Sequence, residues 1–120
     1  VTMVEKAPPA GALLKVNAEL IRSAGKLDAL STRVVIASVA AYLGNAPSEL
    51  FDIVFVDPPY ELSEAEVSHC LELLVPHLAE EAEVVLERST RTGLPELPAE
   101  IILDKSKAYG ETTIHWLSRA

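Results

Sequence analysis

The segment Asp57-Pro58-Pro59-Tyr60 places an acid, two prolines and an aromatic ring directly after the apolar run Asp52–Val56. Each proline fixes φ near −65° and lacks an N–H donor, so the backbone there is stiff and its carbonyls can accept hydrogen bonds. The Asp57 carboxylate and the Pro58 carbonyl could each accept one hydrogen of an exocyclic amine, while Tyr60 stacks on the base that carries it. Both bonds favour a tetrahedral nitrogen whose lone pair can attack a methyl sulfonium. The alternative interpretation is a rigid strand-to-helix turn.

The elements around this segment predict an α/β fold. Short apolar or β-branched runs alternate with segments of helical spacing, which indicates right-handed βαβ units on a parallel sheet. The last two strands have no helix between them, so we expect an antiparallel pair at that edge. Asp57 then follows the carboxyl end of a buried strand, where open α/β sheets bind ligands. The predicted strands are Val1–Glu5, Arg33–Ala37, Asp52–Val56, Glu83–Glu87, Glu100–Lys105 and Thr112–Ser118.

Helical spacing follows three of these strands. Pro8-Pro9 suits the first turn of a helix that continues to Ala24, and Val39–Leu43 could form one or two turns. Ser63 and Glu66 have the spacing of a capping box, which predicts the start of another helix. Cys70 falls on the apolar stripe of that helix, so we expect it in the core.

Composition and charge exclude several classes of protein. The 120 residues carry 10 basic and 18 acidic side chains, a net charge of −8, which predicts poor nucleic-acid binding by this chain alone. No apolar run approaches the roughly 20 residues needed to span a bilayer, and no basic-then-apolar leader opens the chain. A single cysteine excludes an internal disulfide, and the three histidines lack metal-ligand spacing. We therefore expect a cytoplasmic protein with no membrane and no metal.

The run Phe51–Tyr60 resembles the fourth motif of class I, S-adenosylmethionine-dependent amino-methyltransferases. Val85–Arg88 and Lys107–Gly110 narrow the likeness to the bacterial 16S ribosomal RNA (guanine-N2)-methyltransferases. The likeness covers essentially all 120 residues, as the C-terminal part of that family's chain. It implies a Rossmann-like sheet, mostly parallel with an antiparallel C-terminal edge, and a single partial catalytic domain over residues 1–120.

The resemblance implies a reaction and its residues. The reaction is methyl transfer from S-adenosyl-L-methionine to an exocyclic amine, with guanine N2 of small-subunit ribosomal RNA as the target. Ribosomal RNA or the small ribosomal subunit is then the partner, which implies roles in RNA binding, rRNA methylation and rRNA processing. Asp57, Pro58 and Tyr60 would be catalytic, and Pro59 and Tyr60 would contact the base.

The resemblance also implies the cofactor residues. Glu5, at the end of the first strand, matches the acid that binds the ribose hydroxyls, as carboxylates do in dinucleotide sites. Lys6 would lie along the adenine. Ala37 and Ser38 match the segment that lines the adenine edge, although Ser38 stands where Asp or Asn is common.

One departure from the family is large. The five glycines, at positions 11, 25, 44, 93 and 110, cannot form a G-x-G loop. The family's glycine loop, its first strand and a basic segment are expected before Val1. That strand would lie between the strands that end at Glu5 and Asp57. We therefore expect an N-terminally truncated chain that binds cofactor poorly, with those two strands facing a gap or pairing directly. Exposed strand edges would favour a homodimer.

Two other functions stay open from the sequence. Asp-Pro-Pro-Tyr is shared with DNA adenine-N6 enzymes, so a DNA amino-methyltransferase is the first alternative. The second is a non-catalytic remnant that only binds or assembles. Glu87 and Arg88, at the end of the fourth strand, could form a local ion pair or lie near the target pocket.

Overall fold

The computed structural model describes residues 1–25, 32–45 and 49–120, and it divides the chain into two units, Val1–Ala46 and Pro47–Ala120. The first unit contains β1 (Thr2–Glu5), α1 (Pro8–Gly25), β2 (Arg33–Ile36) and α2 (Val39–Asn45). The second contains β3 (Phe51–Val56), α3 (Glu64–Leu74), a 3₁₀ turn (Val75–His77), β4 (Leu78–Ser89), β5 (Ile101–Tyr109) and β6 (Thr112–Arg119).

The first unit is a two-stranded parallel sheet joined by α1. β1 and β2 pair in register from Thr2 with Arg33 to Glu5 with Ile36, so both strands end at the same edge. A side chain at Gly11 would come within 2.6 Å of the Ile36 side chain, so α1 can approach β2 this closely only with glycine there. The apolar stripe of α1 is exposed, at Leu13, Val16, Leu20 and Ile21.

The second unit is a four-stranded sheet with the order β3-β4-β6-β5. β3 and β4 are parallel and joined through α3, whereas β6 runs antiparallel to both β4 and β5. The β5–β6 hairpin turns through Gly110 and Glu111, and Gly110 has a φ of 64°, which glycine adopts without a steric cost.

α3 begins at the predicted capping box. The Ser63 hydroxyl accepts a hydrogen bond from the Glu66 N–H, and the Glu66 carboxylate accepts one from the Ser63 N–H. Val67, Leu71 and Leu74 are buried on the inner side of this helix. Cys70 is only half-buried, so its expected place in the core is not fully confirmed.

The two faces of the four-stranded sheet differ. Alternate residues of β4 from Ala82 to Arg88 are buried, and Arg88 on this face bonds Glu64 at the start of α3, so α3 covers it. On the opposite face of β3, Ile53 and Phe55 are 60% and 78% exposed. The expectation that this strand is buried on both faces is therefore wrong for the second unit, because α3 packs on one face only.

The predicted α/β class is confirmed, with parallel pairs and an antiparallel C-terminal edge. Within the ranges described, β1 belongs to the two-stranded sheet of the first unit and β3 to the four-stranded sheet of the second. The expectation that these two strands face a gap or pair directly stays a prediction. The assignment of residues 1–120 to one partial domain stays a prediction. No helix in the described ranges is long and apolar enough to cross a membrane.

Candidate active site

Asp57 lines a cavity on the open face of the second unit. The cavity, of about 400 Å³, is lined by Phe55, Val56, Asp57, Val85, Glu87, Ile114 and Trp116. These residues come from three adjacent strands, because Val56 pairs with Leu86 and Val85 pairs with Trp116. Its size falls within the usual range for small-ligand sites, and its lining combines apolar and aromatic side chains with two carboxylates. This cavity is therefore the candidate site for a planar ligand with hydrogen-bond donors.

The two prolines after Asp57 hold a tight turn. The Leu62 N–H donates a 3.0 Å hydrogen bond to the Pro59 carbonyl. No hydrogen bond from the described residues reaches the Pro58 carbonyl, so that oxygen can accept from a ligand. Pro58 and Pro59 do not line the cavity, so the role of the Pro58 carbonyl as second acceptor stays a prediction.

A hydrogen bond at its hydroxyl group, and not packing of its ring, holds the Tyr60 side chain in place. Its Oη shares a 3.1 Å hydrogen bond with Thr112 Oγ1, and the side chain stays 56% exposed. Thr112 alternates with Ile114 and Trp116 along β6, so this bond ties the ring to the face that carries the cavity. Tyr60 does not itself line the cavity. An anchored ring with an exposed surface is suited to stacking on a base that projects from the site.

Arg88 holds the same loop from the opposite face of the sheet. This residue is 1% exposed, and its Nη2 donates to the Leu62 carbonyl at 3.2 Å and to the Glu64 carboxylate. Leu62 and Glu64 follow Tyr60 by two and four residues, so the bond fixes the end of the loop. Local sequence does not assign this role to Arg88, because the contact joins residues that are 24 positions apart in the chain.

His115 lies next to this ion pair in the core. It is 4% exposed, and its Nδ1 shares a 2.7 Å hydrogen bond with Ser106 Oγ. Burial lowers the pKa of His115 below its ordinary value; the Glu64 charge opposes this shift and the Arg88 charge adds to it. The neutral imidazole is therefore the form that the fold favours.

The four residues assigned to the cofactor meet at one edge of the first unit. Glu5 ends β1 and Ala37 directly follows β2, and the Ala37 N–H donates to the Glu5 carbonyl at 3.0 Å. One oxygen of the Glu5 carboxylate accepts from the Ala7 N–H at 3.0 Å, which leaves the other oxygen for a ribose hydroxyl. Lys6 is exposed beside it. A carboxylate held at a parallel strand end fits an adenosine ribose.

Ser38 has a structural task at this edge. Its hydroxyl accepts a 3.1 Å hydrogen bond from the Ala41 N–H and so caps the start of α2. The predicted adenine contact of Ser38 stays a prediction. The edge that carries Glu5 and Ala37 lies in the first unit, and the cavity lies in the second. Among the residues described, no group of three or more His, Cys, Asp or Glu could hold a metal ion.

A family model and a curated relative both match most of the chain. The family described as conserved hypothetical protein 95 matches residues 1–118. Ribosomal RNA small subunit methyltransferase D of Escherichia coli strain K12 is 31% identical over 106 residues, which are 87% of this chain and 52% of that protein. The chain thus spans about half the length of the curated relative that it matches.

Solved structures share the fold. A proposed methylase from Haemophilus influenzae superposes with a TM-score of 0.78 at 24% identity, covering 99% of this chain and 71% of that chain. A proposed methyltransferase complexed with SAH superposes with a TM-score of 0.68 at 16% identity, covering 98% of this chain and 38% of that chain. The identity to the curated methyltransferase, together with the shared fold, confirms the resemblance to class I methyltransferases. The chain belongs to the conserved hypothetical protein 95 family, and its fold is that of the methyltransferases to which it is similar.

Proposed function

We propose that this chain is the target-base part of an S-adenosylmethionine-dependent methyltransferase that modifies guanine N2 in small-subunit ribosomal RNA. The observation that carries the proposal is the position of Asp57, at the carboxyl end of β3 and on the lining of an aromatic cavity. The 31% identity to ribosomal RNA small subunit methyltransferase D supports RNA as the substrate class.

The residues of the site have separate tasks in this proposal. The Asp57 carboxylate accepts a hydrogen bond from one N–H of the amine and stabilises the positive charge that develops on the nitrogen. The Pro58 carbonyl accepts a hydrogen bond from the second N–H of the amine, and the anchored Tyr60 ring packs on the base. The reaction forms no covalent bond to the protein. Its rate enhancement therefore comes from positioning of the reactants and from electrostatic stabilisation.

The cofactor assignment rests on the edge of the first unit. S-adenosylmethionine, when bound, supplies an electrophilic methyl group. The free oxygen of Glu5 would accept from the ribose hydroxyls, and Ala37 would lie against the adenine edge. The fold shared with a protein complexed with SAH supports this cofactor class. A ribosomal substrate would place the reaction in the cytoplasm.

The test uses the full-length protein, unmethylated small ribosomal subunits and S-adenosylmethionine with a labelled methyl group. We expect the label in N2-methylguanosine after digestion of the RNA to nucleosides. Asp57→Asn should lower kcat by roughly 10²- to 10³-fold, the effect of losing one preorganised electrostatic contact. Asp52→Asn is the matched control, because Asp52 is an exposed acid of the same strand that does not line the cavity.

A parallel reaction with naked DNA distinguishes ribosomal RNA methylation from the main alternative, which is DNA amino-methylation. Label in DNA adenine and none in ribosomal RNA would show that the protein is a DNA amino-methyltransferase. Label in neither nucleic acid would support the non-catalytic alternative. Equal activity of Asp57→Asn and Asp52→Asn would contradict the role of Asp57.

A further inference from the structure

A second carboxylate, that of Glu87, lines the cavity beside Asp57. Val56 and Leu86 are paired in the parallel ladder between β3 and β4, so Asp57 and Glu87 occupy the next position on both strands. Glu87 also pairs across the antiparallel ladder with Ile114, which lines the cavity too. Asp57 and Glu87 thus project from neighbouring strands toward one ligand.

Glu87 has no task within the described structure. The next residue, Arg88, points to the opposite face and bonds Glu64 and Leu62, so Arg88 and Glu87 cannot form the local ion pair considered from sequence. No hydrogen bond or ion pair joins the Glu87 side chain to another described residue. The half-buried Glu87 lines the cavity beside Val85, Ile114 and Trp116, where its carboxylate can accept hydrogen bonds from a ligand.

The donors of guanine fit two adjacent carboxylates. Guanine carries N1–H next to its N2 amine, which gives two neighbouring donor groups on one edge. Adenine and cytosine instead carry a ring nitrogen lone pair next to their amines, and this lone pair would face a carboxylate without a proton between them. A second carboxylate at this position therefore accepts from guanine and repels the other two amino bases.

We propose that Glu87 is the specificity-determining residue of this site: it accepts a hydrogen bond from guanine N1–H while Asp57 holds the N2 amine. This inference rests on the proposed function and names the base edge that the site reads. Trp116 and Phe55 supply the apolar surface beside these carboxylates. The Lys105 ammonium lies 4.4 Å from the centre of the Trp116 ring and covers part of it, which keeps that ring in place.

The test compares two target bases that share the N2 amine. 2-Aminopurine has this amine but presents a lone pair at N1 where guanine presents N1–H. The methylated nucleotide is first mapped, and ribosomal RNA is then assembled with either guanine or 2-aminopurine at that position. The full-length protein should strongly prefer guanine in kcat/KM.

Glu87→Gln should reverse this preference in part, because the glutamine amide can donate to an N1 lone pair. We expect the ratio of kcat/KM values for guanine and 2-aminopurine to fall by roughly 10- to 100-fold, the discrimination that a well-placed hydrogen-bonding pair supplies. Glu87→Asp keeps the carboxylate and should keep the order of preference. Glu83→Gln removes the same charge from the same face of β4 outside the cavity, so its ratio should equal that of the unmodified protein.

The outcomes distinguish this inference from the function on which it rests. An unchanged ratio in a Glu87→Gln protein that still methylates guanine would overturn the role of Glu87 and leave the proposed function standing. A ratio that falls equally in Glu83→Gln would also overturn it, because a general charge effect would then explain the change. If the unmodified protein methylates neither base, the proposed function fails and this inference fails with it.

Discussion

Two neighbouring residues of β4, Glu87 and Arg88, have different roles. Glu87 faces the cavity, where a ligand would bind, and Arg88 faces α3, where it holds the loop that follows Asp57. The alternation of a strand assigns neighbouring side chains to opposite faces, so both residues can contribute to one site from different sides of the sheet. Substitutions at these two positions should have different effects. Those at Glu87 should change substrate preference, and those at Arg88 should change the stability of the fold.

At the same scale, His115 gives the protein a measurable response to pH. Its folded-state pKa is lowered by burial from the ordinary value of 6.5, so the unfolded chain binds a proton more readily as the pH falls below that value. The free energy of unfolding should therefore decrease as the pH falls from about 7 through 6.5 toward the folded-state pKa. Urea denaturation at a series of pH values measures this dependence.

His115→Gln should flatten this dependence, since the variant cannot take up that proton. His69→Gln is the control, because the His69 side chain is 61% exposed on α3. Its curve should run parallel to that of the unmodified protein. A His115→Gln curve that also runs parallel would show that other groups cause the acid sensitivity.

At the scale of elements, the ion pair between Arg88 and Glu64 joins β4 to the start of α3. Glu64→Gln would leave the buried guanidinium with a neutral partner, and unpaired buried charge is costly. Since Glu64 is partly exposed, we expect a loss of about 1–3 kcal/mol in the free energy of unfolding. The double variant Glu64→Gln with Arg88→Met should lose less than Glu64→Gln with an intact Arg88, because no buried charge then remains.

Urea denaturation measures these differences, and Glu72→Gln provides the comparison. Glu72 is an exposed acid of the same helix that pairs with the exposed His69 among the described residues, so its loss should change stability by less than about 0.5 kcal/mol. Equal stability of Glu64→Gln and Glu72→Gln would show that the loop does not depend on the Arg88 anchor.

Every described helix and strand could be predicted from local patterns, and α3 was marked at its first residue by the Ser63 capping box. Boundaries were less accurate: β4 begins at Leu78, five residues before the predicted start at Glu83, because acidic residues interrupt its apolar pattern. The position of β6 between β4 and β5 depends on non-local pairing, which no local pattern contains. For the same reason, the Tyr60–Thr112 and Arg88–Glu64 contacts could not be predicted.

At the scale of the whole molecule, residues 1–120 contain an edge suited to adenosine but no G-x-G sequence through which a backbone could approach the rest of the cofactor. A calorimetric titration of this chain with S-adenosylhomocysteine should therefore show no saturable binding below about 1 mM, which corresponds to a binding free energy weaker than about −4 kcal/mol.

The methyltransferase that is complexed with SAH and shares this fold, titrated in the same way, is the positive control, and circular dichroism establishes that residues 1–120 are folded. Micromolar binding by residues 1–120 would show that the cofactor site is complete within them. If such binding also strengthened with protein concentration, it would favour the homodimer predicted from exposed strand edges.

The strand order of the second unit has a consequence for biosynthesis. β6 is the last described strand to be translated, yet it occupies an interior position between β4 and β5. During translation, one edge of β4 therefore stays unpaired until residues Thr112–Arg119 have left the ribosome. Unpaired strand edges in partly made chains promote aggregation, which is one reason that chaperones bind nascent proteins. The nascent chain should thus depend most on chaperones in the interval between completion of β5 and release of β6.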